Sequence, residues 1–345
     1  MDVQALKEQH ARLAQDSCVP WDAYEGARVL ITGATGLVGF NVAAALLLNG
    51  TACEQPPVVY ALVRNVDAAK KRYEALGDFR GRLVFVPGDV TKVIECPVSP
   101  DYVIHAAART DSAGMVNEPL SVIGTTLYGI RSVLDFATAN DVKNTVYVSS
   151  MEVYGAYESE SLLGEHDYGV VDPLSIRSSY PESKKMAENI CCSYASERAT
   201  RVCIARLAQC FGPGLPANEN RVFAYFMRCA KEGRDIELAT DGLSTRMYVA
   251  AADAAAALLV LAARGESGTA YNVANPKTYC SIREMATLVC DNVAHGGVEV
   301  RTMAQDAGKY PPNHHLRLDT GRIQALGWRP VISLSEMFES IAGEI

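Results

Sequence analysis

Long apolar segments and clusters of basic residues are both missing from this sequence. No apolar run approaches the roughly 20 residues that a membrane helix needs, so we expect no membrane partner. The 345-residue chain has a net charge of −8 and no stripe of Lys and Arg, which argues against a nucleic-acid partner. Residues 1–12 are too charged for a secretory signal, and the expected location is therefore the cytoplasm.

Cysteine pairs with the Cys-x-x-Cys spacing are missing as well. Ten cysteines are scattered through the chain, and no two of them have the Cys-x-x-Cys spacing. We therefore predict buried free thiols rather than disulfides. No internal repeat or low-complexity tract is present, and 49% hydrophobic residues supply the core of one large or two modest domains.

What the sequence does contain is a regular alternation of short apolar runs and helix-like segments. The strand-like runs are residues 29–32, 58–63, 83–86, 102–106, 145–149 and 202–207, and the clearest helices are 120–140 and 181–198. Alternation of this kind predicts an α/β fold with a Rossmann-type, doubly wound parallel sheet.

The chain divides into three parts in this prediction. Residues 1–25 form an amphipathic leader helix that packs on the rest. Residues 26–211 form the dinucleotide-binding domain, to which residues 246–275 return. Gly and Pro punctuate shorter elements after residue 211, so residues 212–245 and 276–345 are assigned to a smaller C-terminal α/β substrate lobe.

Three glycines, Gly33, Gly36 and Gly39, follow the first strand at every third position, and a helix is predicted from Phe40. Glycine at such a turn lets the backbone approach a pyrophosphate, whose charge is stabilised by free N–H groups and the positive end of the helix dipole. The turn therefore predicts a bound dinucleotide. The spacing alone would also suit a turn that only packs helix on strand.

Two residues at the ends of later strands bear on which dinucleotide is bound. Arg64 ends the second strand, where a cation suits the 2′-phosphate of NADP, although a solvated arginine would fit equally well. Asp89 ends the third strand and is placed either to accept a hydrogen bond from the adenine amino group or to form a turn. The predicted cofactor is NAD, with NADP left open by Arg64.

Tyr180 and Lys184 stand four residues apart at the start of a helix and so share one face. A neighbouring ammonium stabilises a phenolate, which would make the tyrosine a base nearer neutral pH. A hydride leaves an alcohol only if the proton is also taken, and Ser150, at a strand end, is placed to hydrogen-bond the same oxygen. With the glycine turn upstream, these residues predict hydride-transfer chemistry.

Together the motifs resemble the extended short-chain dehydrogenase/reductase family, in particular its NAD-dependent nucleotide-sugar epimerases, dehydratases and decarboxylases. The resemblance runs from about residue 28 to residue 328. The motifs that carry it are Thr32-Gly33-Ala34-Thr35-Gly36-Leu37-Val38-Gly39, His105-Ala106-Ala107, Ser149-Ser150-Met151-Glu152-Val153-Tyr154-Gly155, Tyr180-Pro181-Glu182-Ser183-Lys184, Arg206 with Phe211-Gly212-Pro213, Thr245-Arg246-Met247-Tyr248 and Leu326-Gly327-Trp328.

This resemblance implies catalytic roles for Ser150, Tyr180 and Lys184, and a nucleotide-diphosphate sugar as the substrate. It also implies a homodimer in which the helices 120–140 and 181–198 pair. The predicted cofactor-binding residues are Gly33, Thr35, Gly36, Leu37, Val38, Gly39, Arg64, Asp89, Val90, Ala106, Tyr180 and Lys184.

Glu152 bears on which sugar reaction is catalysed. Dehydratases and decarboxylases of the family commonly have an acid at this place, whereas similar simple 4-epimerases usually do not. Met151 stands where many dehydratases have an Asp and cannot donate a useful proton. Arg177 resembles the Arg-x-x-Tyr of UDP-glucuronate decarboxylases. The alternative for Glu152 is a buried acid paired with Arg177 or Arg109.

The other candidate residues are cations and polar groups further along the chain. Arg246 resembles the family's diphosphate-binding arginine, and Arg221 is placed to reach the same diphosphate or the ribose. Gln209 replaces an asparagine of the family, a departure that leaves the sugar open. Adjacent histidines at 314 and 315 lack a third metal ligand, so no metal is predicted and a substrate contact from His315 or Arg317 is favoured. The predicted substrate-binding residues are Arg109, Arg177, Gln209, Arg221, Arg246, His315 and Arg317.

The sequence thus predicts a nucleotide-sugar enzyme that oxidises carbon 4 of the sugar, decarboxylates or dehydrates it, and returns the hydride. A UDP-glucuronate decarboxylase is the best match. A ketone at carbon 4 is beta to the carbon-6 carboxylate, and decarboxylation depends least on a proton donor at the position of Met151. The alternative reactions on a nucleotide sugar are those of a 4,6-dehydratase or a 4-epimerase. The alternative classes of protein are an NADPH-dependent carbonyl reductase and a cofactor-sensing binding protein that has no catalytic activity.

Overall fold

A computed structural model describes residues 1–16, 19–157, 159–216, 218–303 and 313–345. The helices are α1 (Val3–Asp16), α2 (Leu37–Asn49), α3 (Val66–Glu74), α4 (Ser112–Asn117), α5 (Pro119–Ala139), α6 (Ser179–Arg198), α7 (Val222–Glu232), α8 (Ala251–Arg264), α9 (Ile282–Asn292), α10 (Gly321–Ala325) and α11 (Leu334–Glu339). The strands are β1 (Arg28–Thr32), β2 (Val58–Val63), β3 (Leu83–Pro87), β4 (Tyr102–His105), β5 (Asn144–Ser150), β6 (Leu162–Leu163), β7 (Val202–Leu207), β8 (Gln209–Phe211), β9 (Ile236–Leu238), β10 (Thr245–Ala250), β11 (Ala270–Val273), β12 (Asn275–Ser281), β13 (Val300–Thr302) and β14 (His315–Leu318).

Seven parallel strands form the main sheet, in the order β3-β2-β1-β4-β5-β7-β11. The strand order reverses beside β1, as it does in doubly wound sheets, so the predicted α/β fold is confirmed. Helices α2 and α8 pack together and α5 packs on α6. The core clusters separate these two helix pairs, as expected for layers on opposite faces. Burial on both faces explains why the strands are continuous apolar runs.

The leader helix is shorter than predicted. Helix α1 ends at Asp16, and a short helical turn follows at Trp21–Tyr24. Pro20 stands immediately before that turn, and proline cannot continue a helix. Leu6 and Leu13 are buried where α1 packs on α2 and α8.

A second sheet lies beside the main one, with strands in the order β12-β10-β14-β6 and with β8 also paired to β10. Strand β11 joins the edge of the main sheet next to β7, whereas β10 belongs to the second sheet. The assignment of residues 246–275 to one domain, and the lobe boundaries generally, stay predictions. Residues 304–312 of the predicted substrate lobe lie outside the described part of the chain.

The nine described cysteines are free thiols, and the buried ones are Cys191, Cys203, Cys210, Cys229 and Cys290. Cys18 lies outside the described residues, and Cys192 is exposed. No helix in the described ranges is long and apolar enough to cross a membrane, and no cluster of three or more His, Cys, Asp or Glu within them would hold a metal ion.

Candidate active site

A cavity of about 840 Å³ opens at the carboxyl ends of β1, β4, β5 and β7, where the strand order of the main sheet reverses. Ligands of doubly wound folds bind at such reversal points. The predicted site residues that line the cavity are Gly36, Leu37, Val38, Ala106, Ser150, Glu152, Arg177, Tyr180, Lys184, Gln209, Arg221 and Arg246. Those outside its lining are Gly33, Thr35, Gly39, Arg64, Asp89, Val90, Arg109, His315 and Arg317.

The glycine turn forms a backbone cradle at one end of this cavity. Gly33 has φ +68°, and a Cβ added there would lie 2.6 Å from the amide nitrogen of Ala107. A Cβ at Gly39 would collide with the carbonyl oxygen of Gly33. The turn is therefore closed to side chains, which lets β1, β4 and α2 approach each other closely.

Helix α2 begins at Leu37, three residues before the predicted start at Phe40. Gly36 is its N-cap, no side chain caps it, and its first turn carries no acid. The N–H groups of this turn and the helix dipole are thus available to an anion. The N–H of Gly36 donates to the carbonyl oxygen of Gly33 at 2.9 Å, so the N–H groups that could hold the diphosphate of a dinucleotide such as NAD are those of Leu37 and Val38, which line the cavity.

Gly33→Ala is expected to weaken both folding and NAD binding. The substitution combines an alanine at positive φ, which costs about 1–2 kcal/mol, with a collision against Ala107. Gly81→Ala is the matched control, because Gly81 has φ +79° with nothing within 4 Å of its Cβ position. We expect Gly33→Ala to lower the melting temperature more than Gly81→Ala does, and to raise the Kd for NAD about tenfold in calorimetric titration. Equal NAD affinities in the two variants would contradict the assignment.

The residues predicted to read the adenosine half lie apart from the cavity lining. Asp89 accepts hydrogen bonds from the backbone nitrogen and the hydroxyl of Thr91, at 2.9 and 2.8 Å. These two bonds, and then the charge of Arg64, hold the pKa of Asp89 below its ordinary value. These contacts of Asp89 are those of the turn-forming alternative. Arg64 is exposed just after β2, and Val90 is buried.

Tyr180 is the second residue of α6, and its ring is 6% exposed in a small cluster with Met115 and Val122. Burial raises the pKa of its phenol, and the carboxylate of Glu152 raises it further. A hydrogen bond with Ser150 acts in the opposite direction. The expected lowering of this pKa by the neighbouring ammonium is thus not observed, because burial outweighs the favourable contacts.

Lys184 is 2% exposed, and its ammonium donates a 2.6 Å hydrogen bond to the carbonyl oxygen of Val148 in β5. Its Nζ lies 5.7 Å from the centroid of the Tyr180 ring and 4.6 Å from that of Tyr147. Burial lowers the pKa of Lys184 to about 8, with the carboxylate of Glu188 opposing the shift. The ammonium is therefore held by a strand carbonyl close to the phenol ring.

Ser150 ends β5 and caps the helical turn Met151–Tyr154, since its Oγ accepts a 3.2 Å bond from the backbone nitrogen of Glu152. The carboxylate of Glu152 lies 3.2 Å from the Arg177 guanidinium, and the two side chains are 34% and 45% exposed. Ion pairs this open contribute little to stability. Arg109 does not join them, because it binds Glu118 at 2.7 Å outside the cavity. The pairing alternative is thus observed for Arg177 and not for Arg109.

The two predicted diphosphate-binding arginines differ in how far they are already satisfied. Arg221 pairs with Glu219 at 2.6 Å and donates to the carbonyl oxygen of Cys210. Arg246 lies near Gln209 and 3.2 Å from Nε2 of a histidine, and its buried Nε has no hydrogen-bond partner among the described residues. A buried guanidinium N–H without a partner carries a free-energy cost that an anion would remove. Arg246 is therefore better placed than Arg221 to bind a diphosphate.

The histidine beside Arg246 is His314 and not the predicted His315. His315 begins β14 and its Nδ1 lies 2.8 Å from the hydroxyl of Thr245, while Arg317 stacks over Tyr279 at 5.4 Å. Neither of them lines the cavity. The other polar lining residues that sequence reasoning missed are Thr110, Ser149, Asn220, Thr240, Asp241, Ser244 and Asn313.

A doubly wound sheet with Ser150, Tyr180 and Lys184 at its reversal point defines an enzyme of the extended short-chain dehydrogenase/reductase type. The chain belongs to the NAD dependent epimerase/dehydratase family, whose family model matches residues 29–274. This membership confirms the predicted family and the predicted NAD dependence at the level of the family.

The known proteins that are similar to this chain have more than one activity. UDP-glucuronic acid decarboxylase 1 of Xenopus tropicalis is 27% identical over 310 residues, which are 90% of this chain and 70% of that protein. UDP-glucuronic acid decarboxylase 6 of Arabidopsis thaliana is 25% identical over 320 residues, covering 90% and 86%. The dTDP-glucose 4,6-dehydratase DesIV of Streptomyces venezuelae, solved with NAD, has a TM-score of 0.75 at 23% identity and covers 92% and 97% of the two chains. At that identity the solved structure shows a shared fold.

Proposed function

We propose that this enzyme is an NAD-dependent decarboxylase of a nucleotide-diphosphate hexuronate, with UDP-glucuronate as the first candidate. The observation that carries the proposal is the pairing of Glu152 with Arg177 in the cavity that also holds Ser150 and Tyr180. Arg177 offers a partly exposed cation to the sugar's carboxylate, and Glu152 offers an acid beside the same sugar. The sequence similarity to UDP-glucuronic acid decarboxylases supports the choice.

In this proposal the first step removes the proton of the carbon-4 hydroxyl and the hydride from carbon 4. When bound, NAD would supply a positively charged nicotinamide ring that accepts the hydride and returns it in the same turnover. Tyr180 takes the hydroxyl proton, and Ser150 hydrogen-bonds the same oxygen. Because the pKa of Tyr180 is raised by burial, its phenol needs cations nearby before it acts as a base, and Arg177, Arg221 and Lys184 are the cations that the chain supplies.

The second step is the loss of carbon dioxide from a ketone that is beta to the carboxylate. It leaves an electron-rich carbon 5, which must gain a proton, and Glu152 is the cavity acid beside Tyr180 that is placed to control that proton. Met151 lines the same wall and is 6% exposed, and its thioether has no proton to give to a departing hydroxyl. This favours decarboxylation over 4,6-dehydration.

The substrate's diphosphate is assigned to Arg246, with Gln209 and His314 at its side. A homodimer through α5 and α6 is part of the proposal, and the exposed apolar side chains of Leu120, Tyr128 and Met186 on these helices support it. Light scattering during gel filtration would give a dimer mass, and a monomer at micromolar concentration would contradict this part.

The test is incubation of the enzyme and NAD with a panel of sugar nucleotides, followed by mass spectrometry. We expect UDP-glucuronate to lose carbon dioxide and yield a UDP-pentose, while UDP-glucose and dTDP-glucose remain unchanged. Loss of water from a hexose nucleotide would instead identify a dehydratase, and an isobaric product a 4-epimerase. Net consumption of NADPH without a sugar-nucleotide product would overturn the proposal in favour of a carbonyl reductase.

A further inference from the structure

A buried ion pair lies outside the lining of the cavity, and its carboxylate is on the same helix as Tyr180 and Lys184. Glu188 follows Lys184 by one turn of α6, and its carboxylate accepts bonds from Arg206 of β7 at 3.0 Å from Nε and 2.7 Å from a terminal nitrogen. The two residues are 8% and 6% exposed. Bidentate pairing of this kind fixes both side chains.

The same carboxylate also holds the strand end that carries Ser150. The hydroxyl of Ser149 donates a 2.6 Å bond to Glu188 Oε1. On the other side of the pair, Arg206 donates to the hydroxyl of Tyr154 at 3.0 Å, which belongs to the helical turn Met151–Tyr154. One carboxylate therefore connects α6 with the end of β5, and its partner arginine connects β7 with the turn that contains Glu152.

The charge of Glu188 acts on Lys184, which lies one turn earlier on α6. The titratable groups that face it are Tyr180, Glu188 and Cys191 on α6, Tyr147 on β5 and His105 on β4. Glu188 is the carboxylate in that set. The others are neutral near pH 7, since burial raises the pKa values of the two tyrosines and the cysteine and lowers that of His105 to about 3.

We infer that Glu188, held by Arg206, is a positioning residue that keeps Lys184 cationic and fixes the end of β5 beside the proposed substrate. The inference rests on the proposed function only in that Lys184 and Ser150 act on the sugar. A buried ion pair is weak evidence for stability, because apolar residues of similar volume commonly stabilise a fold as well. A charge placed one turn from a buried ammonium, by contrast, has a direct electrostatic effect.

The sign of the effect follows from the burial of Lys184. Burial lowers its pKa to about 8, and the Glu188 carboxylate opposes that shift. Glu188→Gln removes the negative charge while keeping the shape, so the pKa of Lys184 falls further and its cation is lost at lower pH. The high-pH limb of the kcat profile, which reports this loss, then moves to lower pH, while KM for the sugar nucleotide is unchanged.

The experiment measures the titration of Lys184 directly, without substrate. Acetic anhydride labels neutral amines, and Lys184 lines the cavity, so peptide mass spectrometry across a pH series gives the midpoint at which Lys184 becomes reactive. We expect a midpoint near pH 8 in the unaltered protein and about one pH unit lower in Glu188→Gln. Glu188→Asp keeps the charge and is expected to restore the midpoint.

Two further variants separate this role from a structural one. Glu188→Met/Arg206→Met replaces the pair by apolar side chains, so it keeps the inference testable if Glu188→Gln unfolds, and it is expected to lower the midpoint too. Glu165→Gln is the matched control, because this buried carboxylate lies near Arg322 and outside the surroundings of Lys184. It is expected to leave the midpoint unchanged.

An unchanged Lys184 midpoint in folded Glu188→Gln and Glu188→Met/Arg206→Met would overturn the inference. A lowered midpoint in an enzyme that turns over none of the tested sugar nucleotides would instead contradict the proposed function and leave the effect on Lys184 in place.

Discussion

Tyr180→Phe is expected to lower kcat by about 10²- to 10⁴-fold, the range that a positioned acid–base group contributes. The phenylalanine ring fills the same space beside Met115 and Val122 but has no oxygen to take the proton of the carbon-4 hydroxyl. Binding of NAD and of the sugar nucleotide should persist, because the diphosphate contacts are assigned to the α2 backbone and to Arg246. Steady-state kinetics and calorimetric titration on the same preparation would measure both effects.

The matched control for this variant is Tyr102→Phe. Tyr102 is a 7% exposed tyrosine at the start of β4, at the opposite end of the sheet from the cavity, so it reports the cost of removing a buried hydroxyl elsewhere. We expect its kcat to stay within about twofold of the unaltered enzyme, as for substitutions remote from the chemistry. A Tyr180→Phe enzyme with full activity would show that a different group takes the proton, or that the protein acts by binding alone.

Glu152→Gln is expected to separate the two halves of the reaction. Without the acid at carbon 5, formation of the UDP-pentose, measured by mass spectrometry, should fall by about 10²- to 10⁴-fold, whereas oxidation at carbon 4 and loss of carbon dioxide continue and a reduced cofactor accumulates. The oxidation step should also extend to lower pH. The Glu152 carboxylate raises the pKa of Tyr180, so its removal lowers that pKa and leaves more phenolate at a given pH. Rapid mixing with absorbance detection, and quantification of the UDP-pentose, would follow the two steps separately.

Glu118→Gln is the control for the loss of a glutamate–arginine pair. Glu118 pairs with Arg109 at 2.7 Å on the surface, outside the cavity, and its loss is expected to change neither step. If Glu152→Gln formed the UDP-pentose at the rate of the unaltered enzyme, Glu152 would be only the partner of Arg177, and its proposed role in protonating carbon 5 would be wrong.

The parts of the fold that the sequence predicts well are those written in consecutive residues. Strands β2 and β7 begin and end at the predicted residues, because both are short runs rich in apolar and β-branched residues. Helix α2 begins earlier than predicted, at Leu37, since a glycine-rich start carries no side-chain signal for an N-cap.

The features of the candidate site that could not be predicted from the sequence depend on residues that are distant in the chain. His314 precedes β14 and lines the cavity, whereas His315 begins the strand and contacts Thr245, so the choice between them depends on where β14 begins. The pKa of Tyr180 rises because Met115 and Val122, from α4 and α5, bury its ring. Arg109 does not line the cavity, and it forms an ion pair with Glu118 instead. No local pattern around these residues contains that information.

The most direct test of the account uses UDP-glucuronate labelled with deuterium at carbon 4. If the bound cofactor stores the hydride within one turnover, the product should retain the deuterium at carbon 4, and no reduced cofactor should appear in solution. The first step should also be slower with the labelled substrate. Loss of the label to solvent, or stoichiometric release of reduced cofactor, would contradict the central claim that Tyr180, Lys184 and Ser150 serve an oxidation that is reversed before the product leaves.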